Sequence, residues 1–227
     1  MRYQWIVFDA DDTLFDFGKA EQHAVGRLLT SHRVSDTEAH QTLYRGINQH
    51  LWQELERGAI APTELKVTRI QRFFDELGII ADPAIWAEHF LDFLAEGSAL
   101  LEGAEAVAKQ LAPHARLGIL TNGLARVQRP RLERSGLAPL ISVLTISEEV
   151  GASKPNPAIF EAMQQAMNTP DKDAVLMVGD RFETDILGAQ RFGWDTAWLT
   201  EKVPDDLTPP TYHLTDIRQL PSLLLGA

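Results

Sequence analysis

The sequence contains no cysteine among its 227 residues. Disulfide bonds, thiol nucleophiles and zinc–thiolate centres are therefore excluded. No apolar run reaches the roughly 20 residues that a membrane-spanning helix needs. Residues 1–4 lead straight into an apolar segment, with no small-residue cleavage site after it, so we expect no signal peptide. These absences favour a cytoplasmic protein that has no membrane partner.

Basic residues are also fewer than acidic residues. The chain has 21 Lys and Arg residues against 32 Asp and Glu residues, which gives a net charge of -11. Because this charge repels nucleic acid and anionic membrane surfaces, we expect neither as a partner. The seven histidines are scattered without HExxH spacing, and no GxGxxG loop is present. With 44% hydrophobic and 23% charged residues, the composition is that of an ordinary globular chain.

Short apolar runs, each followed by polar or glycine-containing residues, recur along the chain. They cover residues 5–8, 117–120 and 175–178, with weaker candidates at 142–146 and 196–199. Such runs, separated by helical patterns, are typical of parallel strands buried on both faces. We therefore predict an α/β fold with a doubly wound parallel sheet. A proline-rich loop over 204–210 is expected to precede a final helix over 216–224.

Residues 17–99 follow a different pattern. They contain no convincing strand, and apolar residues such as Leu43, Ile47 and Leu51 recur at helical spacing. We predict about four helices inserted after the first strand, so that residues 1–16 and 100–227 form the core domain. The alternative is that these helices simply flank the sheet. An insert is favoured because a crossover between neighbouring strands usually needs only one helix.

Two acidic residues follow the first predicted strand directly. Asp9 and Asp11 are two positions apart, so in extended backbone their side chains point to the same side. Two close carboxylates repel each other unless a cation lies nearby, and they suit a hard ion such as Mg²⁺. They also suit a division of labour between a nucleophile and a proton-transfer group. A solvated acidic turn is the alternative for this segment alone.

Three further segments place polar groups at the ends of predicted strands. Thr121 and Asn122 offer a hydroxyl and an amide that can bind phosphoryl oxygens, and Lys154 offers a compensating positive charge. Asp180 and Asp185 add carboxylates after the third strong strand. Each segment alone also fits an ordinary turn, a surface lysine or a helix start. Because the carboxyl ends of parallel strands form the ligand-binding edge of such sheets, the four segments together indicate a phosphate site.

The four segments together resemble the motifs of the haloacid dehalogenase (HAD) superfamily. The residues that carry this resemblance are Asp9-x-Asp11-x-Thr13, Thr121, Lys154 and Gly179-Asp180-x4-Asp185. Asp12 stands where the family usually has glycine, which leaves the two catalytic aspartates intact. The resemblance implies a Rossmann-like HAD core, and the helical insert is similar to the C1 cap of subclass I.

The roles that this resemblance implies are those of a metal-dependent phosphohydrolase. Asp9 is the implied nucleophile that forms an aspartyl-phosphate, and Asp11 is the implied general acid and then base. Thr121 and Lys154 are implied phosphate ligands. The implied ligands of Mg²⁺, with Mn²⁺ or Co²⁺ as substitutes, are the Asp9 carboxylate, the Asp11 carbonyl and Asp180. Asp185 is implied to support Lys154 or metal-bound water.

Longer stretches narrow the resemblance to bacterial pyrimidine 5'-nucleotidases, including those that accept noncanonical nucleotides. These stretches are residues 6–16, 131–137 and 146–151, together with residues 51–60 of the insert. They imply a small phosphate ester as substrate, namely a pyrimidine nucleoside monophosphate such as UMP, dUMP or dTMP. The alternatives are a sugar-phosphate or phosphoglycolate phosphatase or phosphomutase, a dehalogenase, and a non-catalytic nucleotide-binding domain. Asp11 speaks against the dehalogenase, and the complete motif set speaks against the non-catalytic domain.

Aromatic residues in the insert have two interpretations. They are Trp52, Phe73, Phe74, Trp86 and Phe90. They can offer a surface on which a nucleobase stacks. For each one, packing of the insert's helices against one another is the favoured interpretation.

Overall fold

The computed structural model describes residues 2–57, 59–60, 62–204 and 206–226. Its chain divides into two compact units. The first unit comprises Met1–Phe17 and Ser98–Ala227, and the second comprises Gly18–Gly97. None of the helices in the described ranges combines the length and the apolar character needed to cross a membrane.

The first unit is built on a sheet whose six described strands run parallel to one another. They are β1 (Trp5–Phe8), β2 (Arg116–Thr121), β3 (Ile141–Ile146), β4 (Val175–Gly179), β5 (Asp195–Leu199) and β6 (Tyr212–Leu214). Their spatial order is β3-β2-β1-β4-β5-β6. The chain therefore winds outward in one direction through β2 and β3, and in the other through β4, β5 and β6. This order creates a topological switch point between β1 and β4, where α/β sheets bind their ligands.

The sheet is buried on both faces because side chains alternate along each strand. In β1, Ile6 and Phe8 join one hydrophobic cluster, whereas Trp5 and Val7 join the cluster on the opposite face. All four side chains are almost fully buried. Two layers of helices therefore enclose the sheet, and the predicted doubly wound fold is confirmed.

The helices of the first unit connect these strands. They are α5 (Ala104–Leu111), α6 (Ala125–Arg134), α7 (Ser147–Val150), α8 (Pro157–Ala166), α9 (Gly188–Phe192) and α10 (Leu220–Leu225), with a π-helix at Phe182–Leu187 and 3₁₀ turns at Ala138–Leu140, Lys172–Ala174 and Ile217–Gln219. Residues of α5 and α10 pack in the cluster of Ile6, whereas α8 and α9 pack in that of Trp5.

The C-terminal segment differs from its predicted form. The strand β6 follows the proline-rich loop, and it was not predicted because three residues are too few to show a period. The final helix was predicted as one element over 216–224. It is instead a 3₁₀ turn capped by Asp216, whose carboxylate accepts from the Arg218 N–H at 2.8 Å, followed by α10. Pro221 lies in the first turn of α10, where its missing N–H costs nothing.

The second unit contains four helices in its described residues. They are α1 (Phe17–Ser31, whose first residue belongs to the first unit), α2 (Glu38–Glu56), α3 (Pro62–Leu77) and α4 (Pro83–Glu96). Its role as a cap stays a prediction.

The insert's aromatic residues pack mainly against one another. Phe73 and Phe90 are fully buried against Tyr44, with ring centroids 5.4 and 5.3 Å from the Tyr44 ring. Phe74 is buried as well, and it contacts the half-buried Trp86. These four side chains therefore hold the helices of the second unit together. The side chain of Trp52 lies outside the described residues.

Candidate active site

The central strand places Asp9 at the carboxyl edge of the sheet. The Asp9 N–H donates to the Val178 carbonyl at 2.8 Å, so the ladder between β1 and β4 continues one residue past the end of β1. Thr121 ends β2 on one side, and Asp180 follows β4 on the other. Because of this strand order, Thr121 and Asp180 lie on either side of Asp9.

Lys154 is the cation at the centre of this edge. Its side chain is 1% exposed, and its Nζ lies 2.5 Å from Asp9 Oδ1 and 2.7 Å from Asp185 Oδ1. Nζ also donates to the Leu120 carbonyl at 2.8 Å. Burial lowers the pKa of Lys154, but Asp185 and Asp9 more than offset this effect and raise the pKa above its usual value. The ammonium group therefore stays charged at neutral pH.

Asn122 holds the backbone of Lys154 from both sides. The Asn122 Oδ1 atom accepts from the Lys154 N–H at 2.7 Å, and its Nδ2 donates to the Lys154 carbonyl at 3.0 Å. This pair of bonds fixes the loop that delivers Lys154 to Asp9. The predicted contact of Asn122 with phosphate stays a prediction.

Thr121 is buried at the end of β2, and its Oγ1 accepts from the Gly123 N–H at 3.0 Å. A hydroxyl that accepts through one lone pair still has its own proton to donate. Thr121 can therefore donate to an oxygen of a bound ligand, as its predicted phosphate role requires.

Asp180 lies on the β4 side of Asp9. The fully buried Thr13 donates its hydroxyl to Asp180 Oδ1 at 3.3 Å. Burial, together with the negative charges of Asp185 and Asp12, raises the pKa of Asp180 to about 6. Thr13 was part of the recognised motif, but its bond to Asp180 was not predicted. Thr13 lies five residues past the end of β1, and its position in the sequence does not indicate which carboxylate it contacts.

Asp185 projects from the π-helix that follows β4, and it is 1% exposed. Its Oδ2 accepts from the Arg181 N–H at 3.1 Å, and its Oδ1 faces Lys154. A Cβ atom on Gly179 would collide with the Asp185 side chain, so glycine is needed there for the close approach. π-Helical turns of this kind often occur at functional sites. Asp185 therefore contacts Lys154, and the supporting role expected for Asp185 in the reaction stays a prediction.

Three carboxylates at this edge form a cluster that suits a metal ion. One oxygen from each of Asp9, Asp180 and Asp185 lies within 4.8 Å of the others. Lys154 is the cation that directly contacts two of these three negative groups. A set of hard oxygen donors with uncompensated negative charge fits a divalent cation such as Mg²⁺. Asp9 and Asp185 each pair with Lys154 through one oxygen, and the assignment of Asp9 and Asp180 as metal ligands stays a prediction.

The electrostatics of Asp9 follow from the same crowding. Burial raises the pKa of Asp9, the Lys154 ammonium opposes that effect, and the Asp185 carboxylate reinforces it. A positive charge near the cluster therefore favours the charged, nucleophilic form of Asp9. Mg²⁺ at this position would supply such a charge.

Asp11 lies apart from the acidic cluster. Asp11 contributes to raising the pKa of Asp9, but its own carboxylate binds two residues of α6. Gln128 Nε2 donates to Asp11 Oδ2 at 2.7 Å, and Arg131 Nη1 donates to Asp11 Oδ1 at 2.5 Å. Neither contact was predicted. The sequence signal for these contacts is only the helical spacing of Val127, Gln128 and Arg131, whereas the burial of the two polar residues is seen in the structure alone.

Asp12 occupies the position where the family usually has glycine, and the backbone shows why. Its φ is +59°, which lies in the left-handed region that glycine adopts freely and aspartate tolerates better than most residues. The Asp12 carboxylate accepts from the Phe17 N–H at 3.3 Å, which helps to hold this turn.

Comparisons with known proteins identify the family to which the chain belongs. The family model for haloacid dehalogenase-like hydrolases matches residues 3–193. The chain is 37% identical to the pyrimidine 5'-nucleotidase YjjG of Escherichia coli over 228 residues, covering 99% of each chain. It is 33% identical to the pyrimidine 5'-nucleotidase PynA of Streptococcus pneumoniae, covering 97% of this chain and 94% of PynA.

The crystal structure of the putative HAD-hydrolase YfnB of Bacillus subtilis, bound to magnesium, aligns over 100% of both chains with a TM-score of 0.91 and 32% identity. The family model covers most of the chain, and relatives more than 30% identical extend over nearly all of it. The chain therefore belongs to the haloacid dehalogenase-like hydrolase family.

Proposed function

We propose that this protein is a Mg²⁺-dependent 5'-nucleotidase that hydrolyses pyrimidine nucleoside monophosphates such as UMP, dUMP and dTMP through an aspartyl-phosphate. The observation that carries the chemistry is the buried pair of Lys154 and Asp9 beside Asp180, at the switch point of the sheet. The near full-length likeness to two pyrimidine 5'-nucleotidases supports the substrate class.

The first half of the reaction transfers the phosphoryl group to the protein. An Asp9 carboxylate oxygen attacks phosphorus, and the bond from phosphorus to the ester oxygen breaks. Asp11 gives its proton to that oxygen, so the nucleoside leaves as a neutral alcohol. Thr121, Asn122 and Lys154 bind the phosphoryl oxygens and balance their negative charge. Such positioning and charge neutralisation are the main requirements of phosphoryl transfer.

The second half regenerates Asp9. The Asp11 carboxylate takes a proton from water, the water oxygen attacks phosphorus, and the bond from phosphorus to Asp9 breaks to release inorganic phosphate. Mg²⁺ held by the Asp9 carboxylate, the Asp11 carbonyl and Asp180 would neutralise charge on the phosphoryl group. Asp185 holds Lys154 in place through both halves. Mn²⁺ and Co²⁺, which also accept oxygen ligands, are proposed as substitutes.

The substrate assignment is tested by measuring kcat/KM for dUMP, UMP, dTMP, AMP, several hexose phosphates and phosphoglycolate under one condition with Mg²⁺ present. The pyrimidine nucleotides are expected to be the best substrates. A hexose phosphate or phosphoglycolate that exceeds every nucleotide by about tenfold, which is about 1.4 kcal/mol in transition-state binding, would overturn the substrate assignment and leave the phosphatase assignment in place.

A further inference from the structure

The buried face of α6 carries a charge that the reaction scheme does not use. Arg131 is the largest of the fully buried side chains that the structure describes, with 0% exposure. A buried guanidinium is costly unless it is paired and hydrogen-bonded. Its neighbour on the same face, Gln128, is 3% exposed. Two buried polar side chains one helical turn apart indicate that this face of α6 serves a specific partner.

That partner is the carboxylate of Asp11. Arg131 Nη1 lies 2.5 Å from Asp11 Oδ1, and Gln128 Nε2 lies 2.7 Å from Asp11 Oδ2. Gln128 Oε1 also accepts from Arg131 Nη1 at 3.5 Å, which closes a ring of three side chains. Each oxygen of Asp11 therefore has its own donor on α6, and the carboxylate plane is fixed at both ends.

The surrounding residues hold the two donors in place. The Arg131 guanidinium lies over the Phe15 ring, 4.7 Å from its centroid, and Phe15 is 1% exposed. Phe15 follows Asp11 in the same tight turn, where its carbonyl accepts from the Asp12 N–H at 2.8 Å. Gln128 packs so closely on Gly123 that a Cβ atom there would collide with the Gln128 side chain. Phe15, in the turn that carries Asp11, and Gly123, just after β2, therefore both pack against this group of three side chains.

We propose that Arg131 and Gln128 are positioning residues that hold Asp11 in place for proton transfer, an inference that rests on the proposed function. A carboxyl oxygen that carries a proton can still accept one hydrogen bond. Both contacts are therefore compatible with the protonated and the ionised form, as an acid that later acts as a base requires. A rigid carboxylate also avoids the loss of rate that follows when a reacting group is misplaced by about 1 Å.

The inference separates steps that need a proton from a step that does not. The nucleoside of a nucleotide substrate leaves as an alcohol and needs a proton from Asp11. The p-nitrophenolate of p-nitrophenyl phosphate is stable as an anion and leaves without a proton. Loss of either positioning residue should therefore slow phosphorylation by a nucleotide but spare phosphorylation by p-nitrophenyl phosphate. Dephosphorylation needs Asp11 as a base with either substrate, so it should slow for both.

The experiment compares Arg131→Leu and Gln128→Leu with the matched control Arg129→Leu. Arg129 lies on the same helix, but it is half exposed and pairs with Glu149 at the surface. For the two test variants we expect kcat for UMP to fall by about 10- to 100-fold with KM changed less than about twofold, within the usual range for acid–base catalysis. With p-nitrophenyl phosphate, a rapid burst of p-nitrophenolate should precede slow turnover. Equal slowing of the burst and of turnover would contradict the inference.

A double-mutant cycle with Asp11→Asn decides whether the effect passes through Asp11. Adding Arg131→Leu to Asp11→Asn should cause no further loss of turnover, because residues that act as a unit are not additive. A further loss of tenfold or more would mean that Arg131 acts elsewhere. Arg131→Lys, which keeps a donor, should recover part of the nucleotide activity. If Arg131→Leu fails to fold, Gln128→Leu and Arg131→Lys make the same comparison, checked by thermal unfolding.

The outcomes also distinguish this inference from the proposed function. A wild-type enzyme that hydrolyses p-nitrophenyl phosphate and sugar phosphates but no nucleotide would overturn the substrate assignment. The same comparison of variants would then be run with the best sugar phosphate, whose alcohol leaving group likewise needs a proton. The absence of any phosphatase activity in the wild type would overturn both proposals.

Discussion

Lys154 Nζ lies 2.5 Å from Asp9 Oδ1, although 145 positions separate the two residues in the chain. The same ammonium group contacts Asp185, so one buried cation serves two buried carboxylates. This arrangement links catalysis to stability, since the group that orients the proposed nucleophile also compensates its charge.

Replacing Asp9 by asparagine should abolish turnover and leave the fold intact. The amide keeps the shape of the side chain but is a far weaker nucleophile than the carboxylate. Phosphate release and thermal unfolding are measured on the same preparation, with the exposed Asp173→Asn as the control. Steady-state activity near that of the wild type would refute the assignment of Asp9 as the nucleophile.

Replacing Lys154 by methionine should both inactivate and destabilise the protein. Asp9 and Asp185 would lose the cation that they share, and breaking a buried ion pair in this way costs about 3–5 kcal/mol. The exposed Lys109, which pairs with Glu105 along α5, provides the matched control, and Lys109→Met should cost less than about 0.5 kcal/mol. Urea unfolding measures both effects, and equal stabilities of the two variants would contradict the prediction.

The pH dependence of that variant has a definite sign. Burial already raises the pKa of Asp9 in the folded protein, and removal of Lys154 removes the contribution that lowers it. An acid with a raised pKa contributes most stability below its unfolded value and loses that contribution as pH rises through the folded value. With Lys154 present the pKa of Asp9 is already raised to about 8, so the two proteins differ in the charge of Asp9 only above that pH. The deficit of Lys154→Met relative to the wild type should therefore grow as pH rises above about 8, and urea unfolding from about pH 7 to about pH 9 measures it.

Chelation with EDTA should silence the enzyme, and Mg²⁺ should restore it, with Mn²⁺ and Co²⁺ as substitutes. Stability provides a second readout, because ligand at about 100 times its Kd adds about 2.7 kcal/mol. The pKa of Asp180 is raised to about 6, so protons compete with metal below that pH. The increase in Tm on adding Mg²⁺ should thus be larger at pH 7.5 than at pH 5. Full activity in a rigorously metal-free sample would refute metal dependence and favour dehalogenase-type chemistry.

Without metal, the contribution of Asp180 to stability depends on pH in the opposite direction: it is larger at low pH than at high pH. Because its pKa rises from 3.8 to about 6 on folding, its contribution to stability is fully present below about pH 4 and is lost as pH rises through about 6. Thermal unfolding in EDTA across this range should show the loss, and Asp180→Asn should reduce it. An Asp180→Asn profile parallel to that of the wild type would contradict this account.

Asp12 offers a test of the backbone that is separate from the chemistry. At φ +59°, Asp12→Gly should leave stability and activity nearly unchanged, since glycine adopts this conformation without steric cost and this gain offsets the loss of the long bond to the Phe17 N–H. Asp12→Val should cost about 1–2 kcal/mol, because a branched Cβ is strained in the left-handed region. Urea unfolding of both variants gives the comparison, and equal losses would show that the Asp12 side chain, rather than its backbone, stabilises the turn.

The sequence by itself determined the strands and the residues at their ends. A buried parallel strand is a run of apolar residues, so the positions of β1, β2 and β4 could be found from residues close together in the chain. Asp9 and Asp180 follow such runs directly, and the strand ends of a parallel sheet share one edge. The weaker candidates for β3 and β5 were found in the same way. The edge strand β6, which has only three residues, was not.

Only the tertiary structure decided which side chains meet. Lys154 contacts Asp9 and Asp185, Asn122 holds the Lys154 backbone, and Arg131 reaches Asp11 across 120 positions of sequence. These pairings depend on the strand order and on the packing of α6 and of the loop before Pro155. Burial of the whole core determines both the strand order and this packing. Local periodicity contains no information on them. A buried arginine on a helix reveals that it needs a partner, but only the folded chain identifies that partner as Asp11.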